Sequence, residues 1–418
     1  MSQPLIPITR RQAVVFACFL VLYEFLTYIA NDMIMPGMIG VVRSFNAPES
    51  TVATSLTLYL LGGACLQLIL GPVSDSVGRR PVMLLGACLF FLFTLLIGSS
   101  QSMNQFLIGR FFQGMGLCFI GVIGYATIQE IFAEMDAIRI IAIMANATIL
   151  APLLGPLIGA IIIYYTSWRW IFGMIAFFTL FALWGLWRYM PEPIGQMKTD
   201  GEIIQPTRLT FKAAFRNYKD LFINPTFVTS TIAEGLLGAP CLAWIALSPI
   251  ILISEAKLSV IQYGLWQIPV FSATVIGNWV LHRLSYKFKI KQFLVGGSLL
   301  MGFGLILTAI LPSIFGGSYL ALMPGVIIYF FTLSILNAPL NRFCLYVTPV
   351  SKGTASAIVS LSTMIFGAIS IEVASFFYTT HNNVHLGLYF FIAGLVYSVF
   401  MGWGLWCSRD TLIDEKGA

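Results

Sequence analysis

Residues 14–37 read VVFACFLVLYEFLTYIANDMIMPG. Apart from Glu24, Asn31 and Asp32 the run is apolar, aromatic or small, and it exceeds the about 20 residues that a helix needs to cross a bilayer core. It follows Arg10 and Arg11, as the core of a secretory leader would. It is too long for such a core, carries two carboxylates and runs on into Pro36 and Gly37, so it reads as a retained first membrane helix.

Working outward, similar apolar runs lie near 52–73, 82–99, 105–128, 140–163 and 168–189. After a polar stretch they resume near 226–253, 260–283, 292–311, 319–345, 354–379 and 386–407. The whole chain of 418 residues is 58% hydrophobic and only 10% charged, against about a quarter in soluble domains. This excludes an ordinary soluble protein and predicts an all-α membrane protein of twelve transmembrane helices in two six-helix bundles, residues 1–190 and 226–418, joined by a linker over 191–225. Halves of equal helix number suggest a duplicated transporter architecture with its site at the midplane between them.

The linker carries Lys198, Arg208, Lys212, Arg216 and Lys219, and sets Phe211, Phe215, Tyr218 and Phe222 on one helical face. This predicts an amphipathic helix lying on the membrane surface, with a calmodulin-like partner site as the sharper alternative. With both termini inside, the outer segments hold only Arg43, Arg169 and Lys257, while basic residues such as Arg79, Arg80, Arg139, Lys287, Lys289, Lys291 and Lys352 gather inside. The net charge of +6 therefore reads as membrane orientation and contact with anionic lipid, with no nucleic-acid partner. The seven cysteines include no C-x-x-C pair and read as small buried hydrophobes.

A charge at bilayer depth is a functional hypothesis by default. Glu24, Asp32, Arg110, Glu234 and Glu372 qualify. Glu24 and Asp32 are separated by roughly 12 Å along a helix and about 80° around it, with Tyr28 and Asn31 on the same sector. One cavity can reach both carboxylates, and an acid removed from water can hold a proton and release it to an arriving cation; the plain alternative is a pair of acids bonded to neighbouring helices. By the helical rise, Arg110 and Asp32 both lie near 9 Å from the outer boundary, so they can pair directly or through a relay, unless Arg110 snorkels outward. Counting leaves Arg342 either in a cavity or at the inner boundary. Ala151, Gly155 and Gly159 recur every four residues beside Pro152 and Pro156, which marks either a hinge or a close-packing stripe.

Motifs for enzymes are missing from the sequence: no H-E-x-x-H, G-x-S-x-G, Walker or G-x-G-x-x-G pattern occurs. His381 and His385 have the spacing of a helical metal pair but read as part of a solvated outer loop with Asn382 and Asn383. The expectation is a transporter with no enzymatic activity, no metal and no bound cofactor, driven by the proton gradient rather than ATP.

The loop Gly71-Pro72-Val73-Ser74-Asp75-Ser76-Val77-Gly78-Arg79-Arg80 resembles the inner-loop signature of the major facilitator superfamily. Arg110-Phe111-Phe112-Gln113-Gly114 resembles its fourth-helix motif, and Ala151-Pro152-Leu153-Leu154-Gly155-Pro156-Leu157-Ile158-Gly159-Ala160 the fifth-helix motif of its drug/proton antiporters. Leu22-Tyr23-Glu24-Phe25, Asn31-Asp32-Met33-Ile34 and Ser351-Lys352-Gly353-Thr354 extend the likeness to multidrug and chloramphenicol exporters over nearly the whole chain.

The resemblance implies that Glu24 and Asp32, with Arg110, carry proton coupling and cation recognition. It implies that Tyr28, Asn31, Leu56, Met144, Leu242, Ile245 and Arg342 join the two acids in lining the drug cavity. It further implies an inner gate in which Asp75 faces the start of the eleventh helix near Gly353, Glu130 pairs with the Arg79 and Arg80 region, and Gly155 and Pro156 allow motion. Ser76 departs from the family's usual basic residue, which predicts a weaker latch. Glu234 has no counterpart in the family pattern and stands as an extra acidic site or a helix-to-helix contact.

The function expected is proton-coupled export of lipophilic cationic and neutral drugs by alternating access, by a monomer in the bacterial inner membrane. The rivals are a carrier of one dedicated metabolite, such as a siderophore or amino-acid derivative, and a receptor or sensor that does not transport.

Overall fold

The computed structural model describes residues 3–199, 201, 203–204, 218–348, 350, 352–380 and 382–408. Among these residues the regular structure is helical, with one isolated antiparallel bridge between Met197 and Ile203. The first half holds α1 (Arg10–Asp32), α2 (Met38–Ser44), α3 (Thr51–Cys65), α4 (Leu70–Val77), α5 (Arg79–Gly98), α6 (Met103–Phe119), α7 (Tyr125–Ile131), α8 (Glu134–Tyr165) and α9 (Arg169–Tyr189). The second holds α10 (Pro225–Pro249), α11 (Val260–Leu284), α12 (Ile290–Ile314), α13 (Tyr319–Tyr346), α14 (Lys352–Phe377) and α15 (Asn383–Cys407).

Helix starts follow local chemistry. Thr9, Ser102 and Asn224 side chains accept the amides of Gln12, Gln105 and Phe227, and Ser259 with Gln262 forms a reciprocal capping box at α11. Among the described residues ten helical stretches are long and apolar enough to cross a membrane, and eleven if α3 and α4, bent by 47° at the break between them, count as one. The remaining expected span is α11, a helix of 25 residues that carries Gln262, Gln267, Asn278, His282 and Arg283.

The chain divides into two compact units, one of residues Met1–Thr51 and Leu58–Phe211, the other of Val52–Thr57 and Lys212–Ala418. The division differs from the expected boundaries. The linker's first part belongs with the first unit, where Thr199 N–H donates to Leu5 O at 2.8 Å and Leu5 N–H to Ile131 O at 2.8 Å. Val52–Thr57 belongs with the second, where Thr57 Oγ1 donates to Glu372 Oε1 at 2.7 Å. Of the amphipathic linker helix only residues 218–223 are described, and they are helical; Arg208, Phe211, Lys212, Phe215 and Arg216 lie outside the described residues.

Within the first unit, glycines let helices touch backbone to backbone. A Cβ on Gly114 of α6 would fall 1.9 Å from Tyr59 O, and one on Gly62 of α3 would fall 1.9 Å from Phe111 O. Any larger residue would separate α3 from α6. In the second unit, the span Pro225–Glu255 is 67% buried and α12 only 28%. The former is therefore the unit's centre, and α12 turns Leu299 and Phe303 outward.

Pro240 lies inside α10 without breaking it. The Tyr329 hydroxyl from α13 enters the ladder there, accepting Cys241 N–H at 3.1 Å and donating to Leu237 O at 2.7 Å. It thereby satisfies the carbonyl and amide that the proline disturbs.

Candidate functional site

In the first unit the polar stripe of α1 is buried. Glu24 is 1% exposed, Asn31 7% and Asp32 6%, while Tyr28 is half-buried. Arg110 of α6 is 0% exposed, so it does not snorkel. Its Nη1 donates to Gln113 Oε1 at 2.7 Å and its Nη2 to Asn31 Oδ1. Asn31 Nδ2 in turn donates to Asp32 Oδ1 at 3.2 Å. The guanidinium lies 4.3 Å from the centre of the Tyr59 ring, an attraction of about 2 kcal/mol when desolvated, and the Tyr59 hydroxyl donates to Thr27 O. Arg110 and Asp32 are thus joined through Asn31, the relayed form of the expected pairing.

The network extends beyond the residues expected from the sequence. Gln113 Nε2 donates to Thr94 Oγ1 at 2.9 Å, and Thr94 to Phe90 O. Gln113 stands in the fourth-helix motif, but neither Thr94 nor Tyr59 carries a signal that periodicity would reveal. Glu24 belongs to a separate cluster: Tyr125 donates its hydroxyl to Glu24 Oε1 at 2.9 Å. Tyr125 begins α7 directly after a π-helical turn over Ile120–Gly124, the kind of insertion that re-aims side chains at functional sites. Among the described residues Glu24 Oε2 and Arg110 Nε have no hydrogen-bond partner, leaving acceptor and donor capacity for a ligand or water.

The small-residue stripe of α8 packs on the end of α1. A Cβ on Gly155 would lie 2.6 Å from Asp32 Cβ, and one on Gly159 would lie 1.9 Å from Met33 O. α8 runs unbroken through Pro152 and Pro156, and Met144 on the same helix is fully buried.

At the junction of α4 and α5 Arg79 pairs with Asp75 and, at 2.7 Å, with Glu130; its Nη1 also donates to Ser74. Arg80 turns away and donates to Trp187 O at 2.7 Å. Ser76 bonds only its own helix, at Val73 O. Glu192, from the start of the linker, accepts the backbone N–H groups of Arg79 at 3.0 Å and Arg80 at 2.9 Å. Its carboxylate caps the positive end of α5, and nothing in local sequence points to it, since 113 residues separate Arg79 from Glu192. Gly78, at φ +116°, leaves room for that carboxylate.

In the second unit Leu56 is buried, Leu242 and Ile245 of α10 are half-buried, and Arg342 is exposed with its guanidinium 5.0 Å from the Tyr346 ring centre. A Cβ on Gly353 would meet open space. Glu234 is 5% exposed and hydrogen-bonded to Asn341 of α13, whereas Glu372 is exposed and takes the Thr57 hydroxyl. Among the described residues no cluster of metal-ligating side chains occurs; His381 lies outside them.

The sequence pattern of the Major Facilitator Superfamily matches residues 20–371. The chain is 42% identical over 393 residues to the multidrug transporter MdfA of Yersinia pestis bv. Antiqua (strain Angola), covering 94% of each. It is 41% identical over 391 residues to MdfA of Escherichia coli O6:H1, covering 94% of this chain and 93% of that one. Two solved structures share the fold. A bacterial homolog of the human lysosomal transporter Spinster, inward-facing and unoccupied, has a TM-score of 0.71 at 13% identity, covering 98% of this chain and all of the other. The human organic anion transporter MFSD10 has a TM-score of 0.64 at 14% identity, covering 94% and 99%. With apolar helices throughout and the family pattern over most of its length, this multi-pass membrane protein belongs to the major facilitator superfamily.

Proposed function

We propose that the protein is a proton-coupled multidrug exporter of the bacterial inner membrane, with both termini cytoplasmic, working as a monomer on lipophilic cationic and neutral compounds. The observation that carries this reading is the buried relay Asp32–Asn31–Arg110 beside the separately held Glu24. The likeness to transporters named MdfA supports the substrate class.

A proton on Asp32 removes the negative end of the relay and frees the Asn31 amide to rearrange around Arg110. A lipophilic cation near Glu24 gains its attraction from a low-dielectric wall, where charge interactions exceed those in water several-fold. Binding of the cation and of the proton to such a pair of acids oppose each other, which is the requirement for exchange.

Purified protein in vesicles with an imposed pH gradient tests this. Gradient-driven flux of several unrelated lipophilic cations and neutral drugs is the expected result. Flux of one metabolite alone would make the protein a dedicated carrier, and binding without flux a receptor; either would overturn the proposal.

A further inference from the structure

We propose that Glu234 and Asn341 form a proton-binding site inside the second unit, independent of the acids of α1. Glu234 sits on α10, the central and most buried span of its unit. The side chain is 95% buried by its 5% exposure, with one hydrogen bond, to Asn341, and with Oε2 lacking any partner among the described residues.

The groups around it are neutral. α13 brings Asn341 and Cys344, and α15 brings Tyr397, whose hydroxyl lies 3.0 Å from Ser298 Oγ of α12. α14 packs Ser362 and Phe366 against neighbouring Gly235. Among the described residues no lysine, arginine or histidine forms an ion pair with Glu234. A charge buried without a partner is strongly disfavoured, so this surrounding accommodates the acid as a neutral carboxyl, and the ligand that makes it neutral is a proton. A carboxyl serving only to tie helices together would have both oxygens engaged; here the second is left open. Asn341 is itself half-buried, so the partner of the acid is in part open to the surface of its unit.

The site deepens the transport reading, since an acid beyond Glu24 and Asp32 adds a proton to the exchange cycle, but its existence is tested without transport. Infrared difference spectra of the purified full-length protein, with glutamate carboxyls carbon-13 labelled, report protonated glutamates by their carbonyl stretch and separate them from Asp32. At neutral pH one isotope-shifted protonated band should vanish in Glu234→Gln, and Asn341→Ala should move that same band without removing it. The second variant keeps the test intact where the first does not fold. Loss of a carboxylate band in Glu234→Gln, or no change of any protonated band in either variant, would overturn the proposal. Vesicle flux on the same preparations separates the two ideas: the band can persist in a protein that exports nothing, and flux can survive its loss.

Discussion

Gly155 of α8 lies so close to Asp32 of α1 that a methyl group on it would come within 2.6 Å of Asp32 Cβ, and one turn on, a methyl group on Gly159 would fall 1.9 Å from Met33 O. The stripe of small residues therefore holds the Asp32 end of the relay. A methyl at Gly155 meets Asp32 Cβ with the Asp32 and Met33 backbone at 3.1 and 3.2 Å behind it, and one at Gly159 meets Met33 backbone directly at 1.9 Å, so both press on α1 and the second presses harder. Overpacking costs about 1–3 kcal/mol, so Gly159→Ala should lower thermal stability clearly more than Gly155→Ala. Gly155→Ala should instead lose substrate-induced proton release while remaining folded. Equal melting temperatures for wild type and Gly159→Ala would contradict this packing.

Asn31 links Arg110 to Asp32. Asn31→Ala leaves a buried guanidinium short of an acceptor, a loss of roughly 1.5–3 kcal/mol for a hydrogen bond to a charged group, and should cut flux at least tenfold. Arg110→Lys should not restore it, because an ammonium cannot serve Gln113 and Asn31 with the same planar fork. Thermal unfolding and vesicle flux on both variants check this; wild-type flux in either would break the relay reading.

The two acids of α1 should separate by substrate. Asp32→Asn is expected to abolish proton release from detergent-solubilised protein on adding drug. Glu24→Gln should impair export of a lipophilic cation far more than that of a neutral drug, since only the cation loses an electrostatic partner. Undiminished proton release in both single variants and the double would remove these acids from the coupling.

At the start of α5, Glu192→Gln weakens the helix cap, where such caps contribute about 0.5–2 kcal/mol. Its effect should be non-additive with Asp75→Asn, because both residues act on Arg79. A double-mutant cycle in thermal stability measures the coupling, and simple additivity would show that the linker carboxylate and the inner loop are independent. Gly78→Ala should cost more than either, as it strains a positive φ and collides with Glu192 Oε2 at 2.6 Å.

Tyr329→Phe removes the hydroxyl that completes the α10 ladder at Pro240. The orphaned carbonyl and amide should lower stability by about 1–3 kcal/mol, equally with or without drug present. A loss confined to one substrate would place Tyr329 in ligand recognition instead.

The helices are legible in the residues alone, because crossing hydrocarbon demands about 20 apolar residues in a row, and residue count puts Arg110 and Asp32 at equal depth because helical rise converts it into height. Spacing also marks Gly155 and Gly159 as a contact face. Depth, however, says nothing of how each helix is turned about its axis; packing decides that. It takes the packed helices to show that Asn31 stands between Arg110 and Asp32, that Tyr125 rather than Asp32's network holds Glu24, and that Glu192 reaches back to cap α5. The same holds for Glu234, whose position was plain in the sequence but whose partner, Asn341, lies on another helix, where only the folded arrangement of α10 against α13 brings the two together.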